Sequence, residues 1–110
     1  MTTAVAEGTT ATLVLNTETN ITAAVTTAGN YVYGADLSTM VNGDVVELRI
    51  WTKMLSTSTE KLAYYAVYAH AQSDGNKYSV PVPVLHQIRC TIEQTEGTVR
   101  GYDYSLMTVT

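Results

Sequence analysis

A chain of 110 residues, 45% hydrophobic and 15% charged, has the mass for one domain around one core, burying roughly two-thirds of the surface its unfolded form exposes. The net charge of −4 is unevenly spread: residues 1–48 hold five acids and no Lys or Arg, while the remainder carries six basic and five acidic groups. That balance excludes sequence-independent nucleic-acid binding and a polybasic membrane anchor, because both need a clustered basic face.

Nineteen Thr, eight Tyr and no Phe favour strands, since β-branched and aromatic side chains fit a pleated, half-buried surface. No segment approaches the roughly 20 apolar residues of a membrane helix, and no basic n-region followed by a long apolar run marks a secretory signal. The lone Cys90 cannot form an internal disulfide, so packing or partners must hold the domain together.

Residues 1–10 are small and polar, with too little apolar mass to dock firmly on their own core. They read as an extended N-terminal arm that a neighbouring subunit would order, or that would swap into a dimer mate. The domain proper is expected over 11–110. Ala11 to Glu18 alternates Leu13 and Leu15 against Thr12, Val14 and Asn16, and Ile21 to Thr27 reads as a second short strand. After the Ala28-Gly29-Asn30 turn, Tyr31 to Asp36 is extended again, and Asn42-Gly43 supplies a tight turn into the longest strand signal.

In Asp44 to Met54, Val46, Leu48 and Ile50 point one way and Glu47, Arg49, Trp51 and Lys53 the other, the period-2 pattern of a half-buried strand. Leu62 to Gln72 follows as its hairpin partner across a Ser/Thr turn. Ser73 to Lys77 is the strongest turn in the chain. Pro81 and Pro83, which lack an amide hydrogen, place Tyr78 to Val84 at a sheet edge or in a crossing connection. Leu85 to Glu93 sets His86, Ile88, Cys90 and Ile92 on one side, and beyond Glu96-Gly97 a last strand puts Tyr102, Tyr104 and Leu106 on one face. About eight strands with turns every 8 to 12 residues predict an all-β fold: a single antiparallel β-sandwich of Greek-key or jelly-roll type.

Reactive groups do not converge in this pattern. His86 and Cys90, the one pair resembling a base and its nucleophile, would stand about 13 Å apart on a strand. His70 has no thiolate or carboxylate cluster to complete a metal shell. Asp74 and Asp103 are isolated carboxylates, whereas glycosidase chemistry needs a facing pair. Asn20-Ile21-Thr22 matches a glycosylation acceptor but lacks the secretory context that would make it meaningful. The chain is therefore expected not to be an enzyme, and no cofactor or metal is expected. Trp51 falls on the face opposite the core, where it is either an interface anchor or covered by a loop or the arm of its own chain. Tyr64, Tyr65, Tyr68, Tyr102 and Tyr104 read as core and core-margin residues, with a carbohydrate-stacking platform as the alternative.

The segments Thr27 to Tyr33, Asp36 to Ile50, Ser79 to Val84 and Glu93 to Arg100 resemble small virion structural proteins of tailed bacteriophages. The resemblance spans most of residues 20–106 and implies a β-sandwich that coats or cements the outer capsid surface. Its implied partners are the major capsid protein or other virion proteins, in a homo-oligomer or multi-copy assembly, and its implied location is the virion, assembled in the host cytoplasm. Neither nucleic acid nor membrane is an expected partner. A head–tail connector, or a tail or fibre module that recognises a receptor or glycan, is the alternative. The expected partner interface combines Thr2, Thr3, Val5 and Glu7 of the arm with Glu47, Arg49, Trp51 and Lys53 of the long strand.

Overall fold

A computed structural model describes residues 2–10 and 13–109. Among them are nine strands and no helix: β1 (Thr2–Thr9), β2 (Thr19–Asn20), β3 (Gly29–Asp36), β4 (Val45–Thr52), β5 (Lys61–Ala69), β6 (Asn76–Tyr78), β7 (Val82–Val84), β8 (Ile88–Glu96) and β9 (Asp103–Val109). They form two antiparallel sheets. Sheet A has the order β1-β9-β3-β6, with β7 also pairing β3, and sheet B has the order β2-β8-β4-β5.

The pairings nest. With β6 and β7 counted as one interrupted strand, the first strand pairs the last, the second the second-to-last, β3 the interrupted strand, and β4 its hairpin partner β5. Two further ladders, β3 with β9 and β4 with β8, join these pairs into sheets. Consecutive strands therefore mostly change sheet, and a single core lies between the layers.

Alternation decides what fills that core. Val46, Leu48 and Ile50 of β4 and Ile88, Cys90 and Ile92 of β8 are buried from sheet B, as their spacing predicts. Sheet A contributes Tyr31, Tyr33 and Ala35 of β3 together with Leu106 of β9, and Tyr102 closes one end. The buried tyrosines keep their hydroxyls satisfied, which an apolar interior requires. Tyr33 donates across the core to the Thr91 carbonyl of sheet B at 3.1 Å, and Tyr102 donates to Gln94 Oε1 at 2.8 Å. Gln94, itself fully buried, uses its amide to bridge the Glu96 and Thr98 carbonyls.

Several expectations change. The arm is extended, but it is not loose: β1 runs along β9 from Thr2↔Val109 to Thr9↔Asp103. Its order comes from backbone hydrogen bonds rather than from apolar mass, since its side chains stay largely exposed. Met1 lies outside the described residues. The strand expected over Ala11 to Glu18 is absent from its described part, where Leu13 is buried and a turn follows; Ala11 and Thr12 also lie outside the described residues. Ile21 to Thr27 contributes only the isolated bridge Val25↔Ile88. Tyr78 to Val84 divides into the end of β6 and β7, and β7, which carries Pro83, sits at the sheet A edge as the prolines require.

Asp44 pins the junction where the chain enters β4. It is 1% exposed, and its Oδ2 accepts from the Val41 amide at 3.0 Å and from Arg100 Nε at 2.6 Å. Gly97, at φ +88°, passes so close that any Cβ there would overlap the Asp44 carboxylate. Burial raises the Asp44 pKa, but the Arg100 pair and the Val41 amide outweigh it and hold the carboxyl below its ordinary 3.8. A carboxyl lowered in the folded state stabilises the protein above its unfolded pKa, and that contribution is lost as pH falls through the folded value. Asp44→Asn should therefore cost about 1–3 kcal/mol at neutral pH. In urea titrations the gap to the native chain should narrow at the acid end; a gap independent of pH would remove this account.

Candidate functional site

The outer face of sheet B is built by register. Glu47, Arg49 and Trp51 of β4 stand opposite Glu93, Thr91 and Arg89 of β8 on one side, and opposite Val67, Tyr65 and Leu62 of β5 on the other. Directly opposed residues share a face and interact, so Glu47 and Glu93 would repel without a cation between them. Arg49 fills that role. It donates to Glu93 Oε1 at 3.1 Å and to Glu47, with its guanidinium 5.0 Å from the Tyr65 ring centroid. Tyr65 closes the loop by donating its hydroxyl to Glu47 at 2.7 Å, which raises the phenol pKa.

A second cluster surrounds Trp51. Its indole N–H donates to Glu18 Oε2 at 2.7 Å, and Thr91 Oγ1 donates to the same oxygen at 2.6 Å. Burial raises the Glu18 pKa, but these two hydrogen bonds, helped by Arg49 and Arg89, bring it below the ordinary value. Arg89 stands 5.4 Å from the Trp51 ring, donates to Glu60 at 3.1 Å and reaches Asn20 Oδ1 at 2.8 Å. Glu60 also accepts from Gln87 at 2.7 Å. Trp51 is thus half-buried under its own chain, by the segment leading into β2 and by Arg89 rather than by the arm. Within the two clusters four carboxylates meet two guanidiniums, and with Lys53 just past β4 the balance is four acids to three cations.

The expected interface divides. Glu47, Arg49 and Trp51 share this face, and Lys53 follows one residue past the end of β4, half-buried. Thr2, Thr3, Val5 and Glu7 belong to β1, the edge of the other sheet, where all four are exposed and Val5 sits in a bulge. The two sets do not form one continuous strand face. Glu18 and Arg89 escaped the sequence reading because nothing local marks a loop carboxylate as the partner of a tryptophan 33 positions away.

His86 lies in a bend ahead of β8 rather than on the strand, because the chain is still crossing between sheets there. Cys90 is fully buried, and burial pushes its thiol up to about 12, which leaves no thiolate for nucleophilic work. His70 follows directly after β5 at φ 66° and accepts the Gly43 amide on Nδ1 at 3.1 Å. Among the described residues, no three His, Cys, Asp or Glu side chains gather as metal ligands would. The named tyrosines are split between sheets: Tyr102 is buried, Tyr64, Tyr68 and Tyr104 are half-buried, and Tyr65 is exposed.

On the outer face of sheet A a shallow hollow of about 130 Å³ is lined by Asp36, Asn76, Tyr78, Asp103 and Ser105. The Tyr78 ring packs over Gly34, where a Cβ would come within 2.9 Å of it. A cleft of about 260 Å³ opens between Thr9, Leu13, Ile21 and Tyr104.

Comparison with known proteins finds no matching family, no matching curated protein and no matching solved structure.

Removing Arg49 tests the outer-face network. Arg49→Ala should lose about 1–3 kcal/mol in urea unfolding, because two opposed carboxylates are left unbridged. Adding Glu93→Gln should return part of that loss; equal stability of the single and double variants would show that the carboxylates do not interact.

Proposed function

We propose that this chain is a virion structural protein of a tailed bacteriophage, a capsid decoration or cement protein that docks through the outer face of sheet B. The observation that carries the docking surface is the Arg49–Trp51 face. Its own chain covers part of Trp51, and the part of the ring left exposed, beside an arginine held by fixed partners, is the residue chemistry of binding hot spots preorganised before contact. Its surplus of carboxylates suits a basic patch on the partner. The partner class follows from the sequence resemblance.

The fold is proposed to be a β-sandwich of jelly-roll type. Supporting this is the nested pairing, with β6 and β7 taken as one strand broken by its prolines: a long antiparallel hairpin rolled up so that its ends meet gives this order. Jelly rolls occur in capsid and lectin domains, and this likeness is an analogy of fold alone.

Glycan recognition by a tail or fibre module is the second reading, and the hollow at Gly34 favours it. An aromatic ring with a carboxylate, an amide and a hydroxyl around it is the equipment that sugar binding uses.

An antibody to the chain should label phage particles from its source at regular positions on the head, and Trp51→Ala should cut occupancy at least about tenfold while the domain still melts cooperatively. Labelling confined to soluble host protein would remove the virion reading. Saturable binding on a glycan array, lost in Tyr78→Ala, would replace it with the second.

A further inference from the structure

Each sheet ends in two edges, and an exposed edge offers a row of unpaired N–H and C=O groups to any strand that meets it. Three of the four are blunted. Strand β2 is two residues long; β6 and β7 are three residues each, with Pro83 in the second; β1 is interrupted by its bulge at Val5 and carries Glu7. The fourth, β5, is not blunted. Its one irregularity falls at Ala63, and Tyr64 to Ala69 then runs in unbroken register with β4. That stretch, Tyr-Tyr-Ala-Val-Tyr-Ala, contains no charge, proline or glycine, the composition that favours strand pairing.

Burial along β5 shows the same vacancy. Leu62, Tyr65 and Val67 are 45%, 48% and 49% exposed, although they flank the interior strand β4. At the hairpin tip Met54 is 81% exposed and Leu55 62%. Single exposed apolar residues are ordinary, but a run of them along a free strand edge calls for a cover.

We propose that β5 pairs antiparallel with β5 of a second copy of this chain, joining the two B sheets into one across a two-fold axis at Ala66. Residues directly opposite each other must point to the same face, which restricts the allowed registers. With Ala66 opposite itself, Tyr65 meets Val67 of the second copy on the outer face and Tyr64 meets Tyr68 on the core side. Aromatic against β-branched is a favourable cross-strand pair. Lys61, the strand's one charge, lies beyond the paired stretch, and on the core side Lys77 of β6 stands 5.5 Å from the centroid of the Tyr68 ring of its own chain. The same patch serves both copies, as a closed two-fold dimer requires. This pairing does not need the virion reading: it is made by the backbone edge of β5, although Tyr65 and Val67 also border the Arg49–Trp51 face.

Sedimentation of the full chain across micromolar concentrations should show a monomer–dimer equilibrium. Val67→Lys should raise the dissociation constant at least about tenfold, because a charge at an edge opposes pairing, while Val5→Lys on β1 should leave it unchanged. Thermal melting at low concentration checks that both variants fold. Should Val67→Lys not fold, cross-linking decides. A mixture of Tyr65→Cys and Val67→Cys chains should be joined by a short thiol-reactive linker, and each variant alone should link far less; Cys90, fully buried, does not compete. A chain that stays monomeric throughout, a dimer disrupted by Val5→Lys and not by Val67→Lys, or equal linking of the single variants with themselves would overturn the proposal.

Discussion

Nested strand pairing is the constraint from which the rest of this architecture follows. Once β4 and β5 form their hairpin, β8 has one place to lie beside β4, and β3 and β9 must cross to the other layer to cover the apolar side that results. The Tyr33 hydroxyl, reaching the Thr91 carbonyl of the opposite sheet, ties the two layers through the buried core. Backbone pairing and side-chain alternation agree along β4 and β8, and such agreement between levels gives a sequence a single preferred structure.

The same alternation produces the outer face. Inward positions on β4 must be apolar, so outward ones are free to vary, and here Glu47, Arg49 and Trp51 meet Glu93 and Arg89 of β8 and the loop carboxylates Glu18 and Glu60 in two adjoining clusters. Ion pairs in water contribute little, yet these are flanked by aromatic rings and partly shielded, so their geometry is better fixed than that of ordinary surface pairs. A face held this rigidly suits recognition that must not cost much ordering on contact.

How much of this the sequence disclosed depends on the range of each interaction. Val46, Leu48 and Ile50, the β5 hairpin, the buried Ile88-Cys90-Ile92 row and the proline-bearing edge were all legible, because each is written within about ten residues. The pairing of β1 with β9 was not, since its partners stand some hundred residues apart and bond through backbone atoms that every residue possesses. Side-chain mass predicted a free arm, and hydrogen bonding decided otherwise. Alternation that continues through Leu85 puts His86 on a strand by pattern, while the chain there is still turning. Tyr31 and Tyr33 alternate as core residues do, but tyrosine at the centre of a core becomes evident only when acceptors for its hydroxyl are found, in Thr27 and Thr91.

Closure of β1 on β9 also sets an order of events during synthesis. On the ribosome β1 emerges first and its ladder partner last of the nine strands, so throughout elongation its polar backbone is hydrated and available to other chains. Only the β4–β5 pair can form early from local contacts. Everything outward of it waits for progressively more distant sequence, which predicts slow maturation and a window in which chaperones or neighbouring nascent chains compete for the unpaired first strand.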